Sequence, residues 1–350
     1  MSMDLLLLVI ALLVILLGAE LFTNGIEWFG HKLGLAEGAV GSVLAAVGTA
    51  LPETMIPLIA ILFGGGHSDE VGIGAILGAP FMLSTLAMFV TGAAVLAYRR
   101  TRKTGSQLAV SGSVLVHDMR FFALAYSLAL VVAFLPADLA WPRFATAGVL
   151  LAIYAWYVRQ HFQAERGTGD PDLAPLRLHV LDRRAPAHPE PPRLRVVGFQ
   201  VLLALGCIIG GAYLFVGAVT DLARSLGADE ALLALVIAPF ATELPEKFNS
   251  VLWVRQGKDT LAMGNITGAM VFQSAIPTSV ALLFASSSWA ITGASLIAFA
   301  SAGIAFASSA VIFLPLARGR TLSGRLLLVG GLFYLVYLAA VVAQLTGLIH

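Results

Sequence analysis

The chain has 350 residues, of which 59% are hydrophobic and only 12% are charged, and its mean hydropathy is +0.90. A soluble globular protein has about a quarter of its residues charged, so this composition excludes a soluble chain and indicates a protein embedded in a lipid bilayer. The formal net charge of +1 excludes nucleic-acid binding through a basic surface, and the single cysteine, Cys207, excludes an intrachain disulfide.

Long stretches without Asp, Glu, Lys or Arg predict an all-α polytopic membrane protein, because a spanning helix needs about 20 mostly apolar residues. The longest of these stretches, 260–317, has room for two helices with a turn at Ser286–Ser288. Ten spanning helices are predicted, at 5–27, 38–63, 71–98, 119–136, 142–160, 196–222, 231–254, 260–285, 290–316 and 323–346.

Basic residues are divided unevenly between alternate loops, with 18 Lys and Arg on one side of the membrane and two on the other. Cytoplasmic loops retain positive charge. We therefore expect a multi-pass membrane protein with both termini outside the cytoplasm. His117 and Asp118 adjoin a basic residue at a predicted cytoplasmic edge, where a solvated cluster is expected.

Residues 159–195 are predicted to form a cytoplasmic linker rich in proline and arginine. This segment holds 12 of the 41 charges and six of the 15 prolines. Such a composition cannot bury a hydrophobic core. The linker divides the chain into residues 1–158 and 196–350, with five predicted helices in each.

The two halves are related in sequence. A shift of 193 residues superimposes 18–53 on 211–246 with 13 identities in 36 ungapped positions, including Leu-Pro-Glu at the end of each segment. An odd number of helices per half means that the second copy enters the membrane from the opposite side. The chain is therefore predicted to be two inverted-topology five-helix repeats, the plan of secondary transporters whose substrate site lies at the bilayer midplane.

Each repeat carries a proline inside a predicted helix, in the motif GTALPE at 48–53 and ATELPE at 241–246. A proline cannot donate a hydrogen bond to the carbonyl four residues earlier. The carbonyl oxygens of Gly48 and Ala241 are therefore freed for another partner.

Each motif also places a threonine four residues before its glutamate, Thr49 before Glu53 and Thr242 before Glu246. The hydroxyl and the carboxylate then share one helix face. Carboxylate, hydroxyl and carbonyl oxygens together suit a hard cation such as Ca²⁺. A charged carboxylate in mid-membrane costs about 2.5–3.5 kcal/mol, so the duplicated acids predict a bound cation. The structural alternative is that the glutamates are protonated and the prolines only kink the helices.

With the glycine-rich segments GAILG at 74–78 and GNITG at 264–268, the two motifs resemble the alpha repeats of the sodium/calcium exchanger family, in the calcium/cation antiporter superfamily. The resemblance extends over all ten predicted helices and the basic central loop. It identifies a divergent prokaryotic member, which implies a location in the cytoplasmic (inner) membrane of a prokaryote. The alpha-1 motif is assigned to 48–53 and 72–85, and the alpha-2 motif to 241–246 and 264–274.

In that family the motif glutamates and threonines form the central calcium site, and the resemblance gives this role to Glu53, Glu246, Thr49 and Thr242. Family members also bind sodium through a serine after each motif threonine and through a Gly-Ser-Asn-x-x-Asn pattern further along the chain. Different residues occupy those positions here, namely Ala50, Glu243, Ala79, Leu83, Ala269 and Gln273. The resemblance therefore implies an intact divalent site and depleted sodium sites.

Lys247 departs further from the family, whose members are usually apolar at this position. Its side chain either extends toward the cytoplasmic side or pairs with Glu243, four residues earlier, as a tethered cation that replaces a bound ion. Glu243 adds a third acid beside Glu246, which favours proton coupling. Asn265 and Gln273 are further candidate ligands, and the sequence leaves sodium and proton coupling both open.

The function expected from these residues is a secondary active cation antiporter that exchanges Ca²⁺ or another divalent cation for Na⁺ or H⁺ by alternating access. An intramembrane metalloprotease is excluded, because no two histidines are four residues apart. No resident cofactor is expected, and the expected partners are the lipid bilayer and inorganic cations, with the oligomeric state left open. The alternatives are a sodium/proton-type monovalent cation exchanger and a cation channel.

The topology can be tested by cysteine scanning on a Cys207→Ser background. Because basic residues mark the cytoplasmic side, a cysteine in 159–195 should react with a membrane-impermeant thiol reagent only in inverted vesicles. A cysteine at Ser287 should react only in intact cells. Labelling of the 159–195 cysteine in intact cells would contradict the predicted orientation.

Overall fold

A computed structural model of the chain describes residues 2–63, 68–163, 173–182, 192–225, 243–292 and 295–345. These residues form helices and no β-strand, apart from an isolated bridge between Gln107 and Ser323. The all-α prediction is therefore confirmed. Seven of the described helices are long and apolar enough to cross a membrane.

In the N-terminal half, two short π-helices, at Val40–Ala45 and Leu83–Ala87, each join the α-helix before it to the α-helix after it without a break. The α-helices are α1 (Ser2–Leu33), α2 (Glu37–Ala39), α3 (Ala46–Phe63), α4 (Ser68–Met82), α5 (Met88–Ala97), α6 (Gly112–Val131) and α7 (Trp141–Gln163).

The helices of the C-terminal half begin after the predicted linker. They are α8 (Leu194–Ser225), α9 (Leu244–Gln256), α10 (Asp259–Phe284), α11 (Leu296–Ala317), α12 (Gly324–Leu327) and α13 (Val329–Leu345). A 3₁₀ turn at Ser286–Ser288 lies at the predicted break between two helices. The first half of the predicted helix 231–254, with Ala241 and Thr242, lies outside the described residues.

The core of the protein is built around α10, most of whose residues are buried. This helix packs against α3, α6, α7 and the π-helix Val40–Ala45. Glycines make the close approach to the π-helix feasible. A Cβ atom at Gly264 would lie 2.9 Å from Ser42 Oγ, and one at Gly268 would overlap the carbonyl oxygen of Ser42. Small residues at a helix contact allow backbones to approach in this way.

Two ion pairs hold the chain where the short connection from α9 enters α10. Arg102 binds Asp259, in the first turn of α10, through two hydrogen bonds of 2.8 and 2.7 Å, and both side chains are 1% exposed. Lys258 pairs with Glu27 of α1. Arg102 is thus a buried part of the fold, although the sequence places it in a basic loop.

The described part of the predicted linker, residues 173–182, packs against α1 and α8. Trp28 Nε1 donates to the carbonyl oxygen of Ala174 at 2.8 Å, and the main-chain N–H of Leu178 donates to Gln200 Oε1 at 2.8 Å. Leu176 is 2% exposed. A short apolar anchor therefore docks this segment between the first helix of each half.

Alanine substitutions at Gly268 in α10 and at Gly78 in α4 are expected to have opposite effects on the stability of the protein. Gly268→Ala should destabilise the protein by about 1–3 kcal/mol, because its Cβ would overlap the Ser42 carbonyl. Gly78→Ala should be neutral or stabilising by about 0.5–1 kcal/mol, because a Cβ there meets no atom within 4 Å and alanine favours helix. Thermal unfolding of the purified variants in detergent measures both, and equal midpoints would contradict the packing described.

Candidate cation site

The first acid of the predicted site, Glu53, lies in α3 with its side chain 8% exposed. Gln273 of α10 donates from Nε2 to Glu53 Oε1 at 2.7 Å and to Thr54 Oγ1 at 2.9 Å. Glu53 Oε2 accepts no hydrogen bond from the residues that the structure describes. Gln273 therefore orients one carboxylate oxygen and leaves the other available.

The second acid, Glu246, lies in the first turn of α9. Pro245 stands at the start of this helix, where a missing N–H group costs nothing, and Glu243 immediately precedes the helix. The N-terminal end of a helix favours negative charge. Glu246 is fully buried, and within the described part of the chain neither of its carboxylate oxygens has a donor in good hydrogen-bonding geometry, although the Thr49 hydroxyl and the main-chain N–H of Glu246 lie nearby.

Asn265 connects the two motifs. Its Oδ1 accepts a hydrogen bond from Thr49 Oγ1 at 3.1 Å, and its Nδ2 lies 3.5 Å from the main-chain oxygen of Glu246, to which it donates. Both Thr49 and Asn265 are fully buried. The predicted hydroxyl of one motif and the predicted acid of the other therefore meet on the same face of α10.

The charged groups of the site interact with one another. The carboxylates of Glu53, Glu243 and Glu246 and the ammonium group of Lys247 are all electrostatically coupled. Three carboxylates and one ammonium group have a formal charge of −3 + 1 = −2 when all are ionised. One divalent cation would neutralise that charge.

Lys247 is paired within the protein. Its Nζ donates to Glu243 Oε2 at 2.6 Å, and the two side chains are 4% and 2% exposed. Of the two interpretations offered by the sequence, this geometry matches the pairing with Glu243 and does not match extension toward the cytoplasm. The function of the pair in transport stays a prediction.

Three carboxylate oxygens, one on Glu53 and two on Glu246, are thus buried without a donor among the described residues. A buried polar group without a partner costs about 1–3 kcal/mol, and more if it is charged. No three His, Cys, Asp or Glu side chains converge as a metal cage in the part of the chain that the structure describes. The site here consists instead of two carboxylates beside the Thr49 hydroxyl and the Asn265 amide.

Gly48 lies where α1 and α8 reach the site. A Cβ atom at this position would be 2.7 Å from Cζ of Phe22 on α1 and 3.2 Å from Cδ2 of Leu205 on α8. The glycine therefore allows close contact with both helices. Its predicted role through a freed carbonyl stays a prediction, as do the roles of Ala241 and Thr242, which lie outside the described residues.

The sequence did not reveal the two π-helices, which lie beside the segments that carry the motifs. Val40–Ala45 leads directly into α3, and Leu83–Ala87 continues α4 just after the first glycine-rich segment. π-helical turns are rare in proteins, and those that occur are often found at functional sites. An apolar sequence gives no signal for one extra residue in a helical turn.

The expectation of a solvated cluster at His117 and Asp118 is wrong, because Asp118 is fully buried. Its Oδ2 accepts from Ser42 Oγ at 2.8 Å and from Thr267 Oγ1 at 2.5 Å. Its Oδ1 accepts from the hydroxyl of Tyr157 at 3.0 Å and lies 3.1 Å from His161 Nε2. Asp118 thus joins α6 and α7 to the π-helix Val40–Ala45 and to α10.

Comparisons with known proteins show which family and which solved structures the chain is similar to. The family described as "Sodium/calcium exchanger protein" matches residues 3–160 and 197–346. The protein named "Putative antiporter CaxA" of Alkalimonas amylolytica is 23% identical over 263 residues, which are 75% of each chain. "Uncharacterized membrane protein MJ0091" of Methanocaldococcus jannaschii is 42% identical over 57 residues, or 16% of this chain and 19% of that protein.

Solved structures with a similar fold include the sodium-calcium exchanger NCX_Mj. One structure, soaked with 100 mM Na⁺ and 10 mM Sr²⁺, has a TM-score of 0.71 and 16% identity, covering 96% of this chain and 97% of that one. Another, soaked with 2.5 mM Na⁺ and 0.1 mM Sr²⁺, has a TM-score of 0.72 and 16% identity, covering 97% and 98%. At this identity the likeness shows the fold.

The Lys247–Glu243 pair can be tested by removing one or both charges. Lys247→Met should destabilise the protein by about 3–5 kcal/mol, because it leaves a buried carboxylate without its partner. The double variant Lys247→Met/Glu243→Gln should recover most of that loss. Thermal unfolding in detergent gives the comparison, and a single variant as stable as the wild type would show that the pair does not neutralise Glu243.

Proposed function

The chain belongs to the sodium/calcium exchanger family, whose members are transporters rather than enzymes, and on that premise we propose that this membrane cation antiporter exchanges Ca²⁺ or another divalent cation for Na⁺ or H⁺. The similarity to an exchanger whose structures were obtained with Na⁺, Ca²⁺ and Sr²⁺ supports this class of ions. The antiporter name of the relative CaxA supports exchange rather than passive flow.

The observation that carries the proposal is the set of buried carboxylate oxygens on Glu53 and Glu246 that have no donor among the described residues. A divalent cation bound between them would supply the missing partner and would balance the formal charge of the site. The Thr49 hydroxyl adds a neutral oxygen of the kind that hard cations accept. Thr242 and the carbonyls of Gly48 and Ala241 complete the proposed ligand set.

The proposed architecture has ten spanning helices in two inverted five-helix repeats, 1–158 and 196–350, joined by the cytoplasmic linker 159–195. Both termini lie outside the cytoplasm. α1 and α8 pack against each other and reach the site at Gly48. A rocking movement of these two helices against the others would expose the site to one side of the membrane at a time.

Sodium and proton coupling both remain within the proposal. Ala79, Leu83 and Ala269 cannot coordinate sodium through their side chains. The amide nitrogen of Gln273 donates hydrogen bonds to Glu53 and Thr54. Glu243 is neutralised by Lys247, so this tethered cation takes the place of one coupling ion. Fewer coupling ions per divalent ion are therefore expected than in a site with free acids.

A sodium/proton-type monovalent cation exchanger is the second candidate. The fixed positive charge of Lys247, which is coupled to both Glu53 and Glu246, favours it. A nearby cation repels a divalent ion more strongly than a monovalent one.

The two acids give the direct test of the proposed site. Glu53→Gln and Glu246→Gln should each lower Ca²⁺ affinity at least tenfold, or about 1.4 kcal/mol, because each removes a charged ligand. Both variants should fold, because an amide is cheaper to bury than a carboxylate. Uptake of ⁴⁵Ca²⁺ into proteoliposomes measures the effect.

Glu20→Gln is the matched control, because Glu20 is a half-exposed acid of α1 that pairs only with Arg177 among the described residues. Its uptake should stay within about twofold of the wild type, since exposed ion pairs contribute little. Uptake driven separately by a sodium gradient and by a proton gradient identifies the coupling ion. Full uptake by both glutamine variants would overturn the assignment of the site.

A further inference from the structure

Asn249 is a buried amide that the proposed site does not use. It lies in α9, three residues after Glu246, and its side chain is fully buried. Neither Oδ1 nor Nδ2 has a hydrogen-bond partner among the described residues. Buried amides are almost always hydrogen-bonded in native proteins. The Asn249 side chain therefore has an acceptor, Oδ1, and a donor, Nδ2, that are available to a bound ligand.

The amide lies on the same face of α9 as the acid of the site. Residues three and four apart are neighbours on a helix surface, so Glu246, Asn249 and Ser250 share a face. This face packs on α10, because Ser250 Oγ donates to the Ala262 carbonyl at 3.2 Å and Asn265 contacts the main chain of Glu246. Asn249 lies about 4.5 Å further along the helix axis than Glu246.

Unpartnered polar atoms are concentrated at this place. Six buried side-chain atoms lack a partner in the described part of the chain, and five of them belong to Glu53, Glu246 and Asn249. The sixth is Oγ of Ser309 on α11. The concentration extends the unfilled site by one helical turn toward Gly257, the end of α9 that the predicted topology places in the cytoplasm.

The other two amides beside the acids are occupied. Asn265 accepts from Thr49 and donates to the main chain of Glu246, and the amino group of Gln273 is bound to Glu53 and Thr54. Asn249 Oδ1 is therefore the amide oxygen that is available beside Glu246 among the described residues.

We propose that Asn249 Oδ1 and one carboxylate oxygen of Glu246 form a subsite for a monovalent alkali cation, of which Na⁺ is the physiological example. The inference rests on the proposed function for its assignment of Glu246 as a cation ligand. A neutral amide and a shared carboxylate suit a single positive charge, because they offer at most one negative charge to balance it. Asn249 then supplies a sodium ligand in place of those missing at Ala79, Leu83 and Ala269.

Direct binding of ²²Na⁺ to the purified full-length chain in detergent tests the subsite. Asn249→Leu, which keeps the volume and removes the oxygen, should weaken Na⁺ binding at least tenfold, equivalent to about 1.4 kcal/mol. Asn249→Asp keeps an oxygen at the same place and should bind Na⁺ within about threefold of the wild type, or more tightly. Ser309→Ala, at the other unpartnered buried side chain, is the matched control and should bind Na⁺ as the wild type does.

Three results would overturn the subsite: no specific Na⁺ binding by the wild type, unchanged binding by Asn249→Leu, or binding by Asn249→Asp that is no better than by Asn249→Leu. If Asn249→Asp binds Na⁺ no better than Asn249→Leu, an oxygen at this position does not help binding. The role of Asn249 would then be structural. If Asn249→Leu does not fold, retained or lost binding by Asn249→Asp decides alone. Binding of ⁴⁵Ca²⁺ to the same samples reports separately on Glu53 and Glu246, so a wild type that binds Na⁺ but no Ca²⁺ contradicts the divalent function and leaves the subsite standing.

Discussion

The candidate site buries three glutamates and one lysine, so that, when all are ionised, it holds more negative than positive charge. Glu53, Glu243 and Glu246 lie within electrostatic reach of one another, and Lys247 forms an ion pair with Glu243. Charges in a membrane interior are expensive unless they are paired. The cation proposed to bind between the remaining two carboxylates would remove this cost, as would protonation of the glutamates.

The surrounding helices keep these acids together. α10 passes close to the π-helix Val40–Ala45 through Gly264 and Gly268, and its Asn265 contacts both motifs. Asp118 of α6 accepts hydrogen bonds from the same π-helix and from α10. α1 and α8, in contrast, meet the site at Gly48 through apolar contacts. At the site itself, polar links join the helices of the body, while α1 and α8 make apolar contacts; α1 is tied to the body further away, by the polar contacts of Glu27 with Lys258 and Trp253.

The helices and the Glu243–Lys247 pair could be predicted because both depend on the spacing of residues that are close in sequence. Uncharged stretches predicted most of the described helices, and the four-residue separation of Glu243 and Lys247 allowed their pairing to be considered. Contacts between distant segments could not be predicted. Asp118 depends on Thr267, 149 residues away, and beside Arg120 in the sequence it resembles a surface residue. Asn249 was missed because only the fold shows that its side chain is buried and has no hydrogen-bond partner among the described residues.

The central claim is that Glu53 and Glu246 share one divalent cation, and anomalous diffraction from crystals soaked with Sr²⁺ tests it most directly. A single peak should lie between the two carboxylates, with Ca²⁺-type distances of about 2.3–2.6 Å to oxygen. It should disappear in crystals of Glu246→Gln. A peak elsewhere in the membrane region that survives the loss of both glutamates would contradict the account.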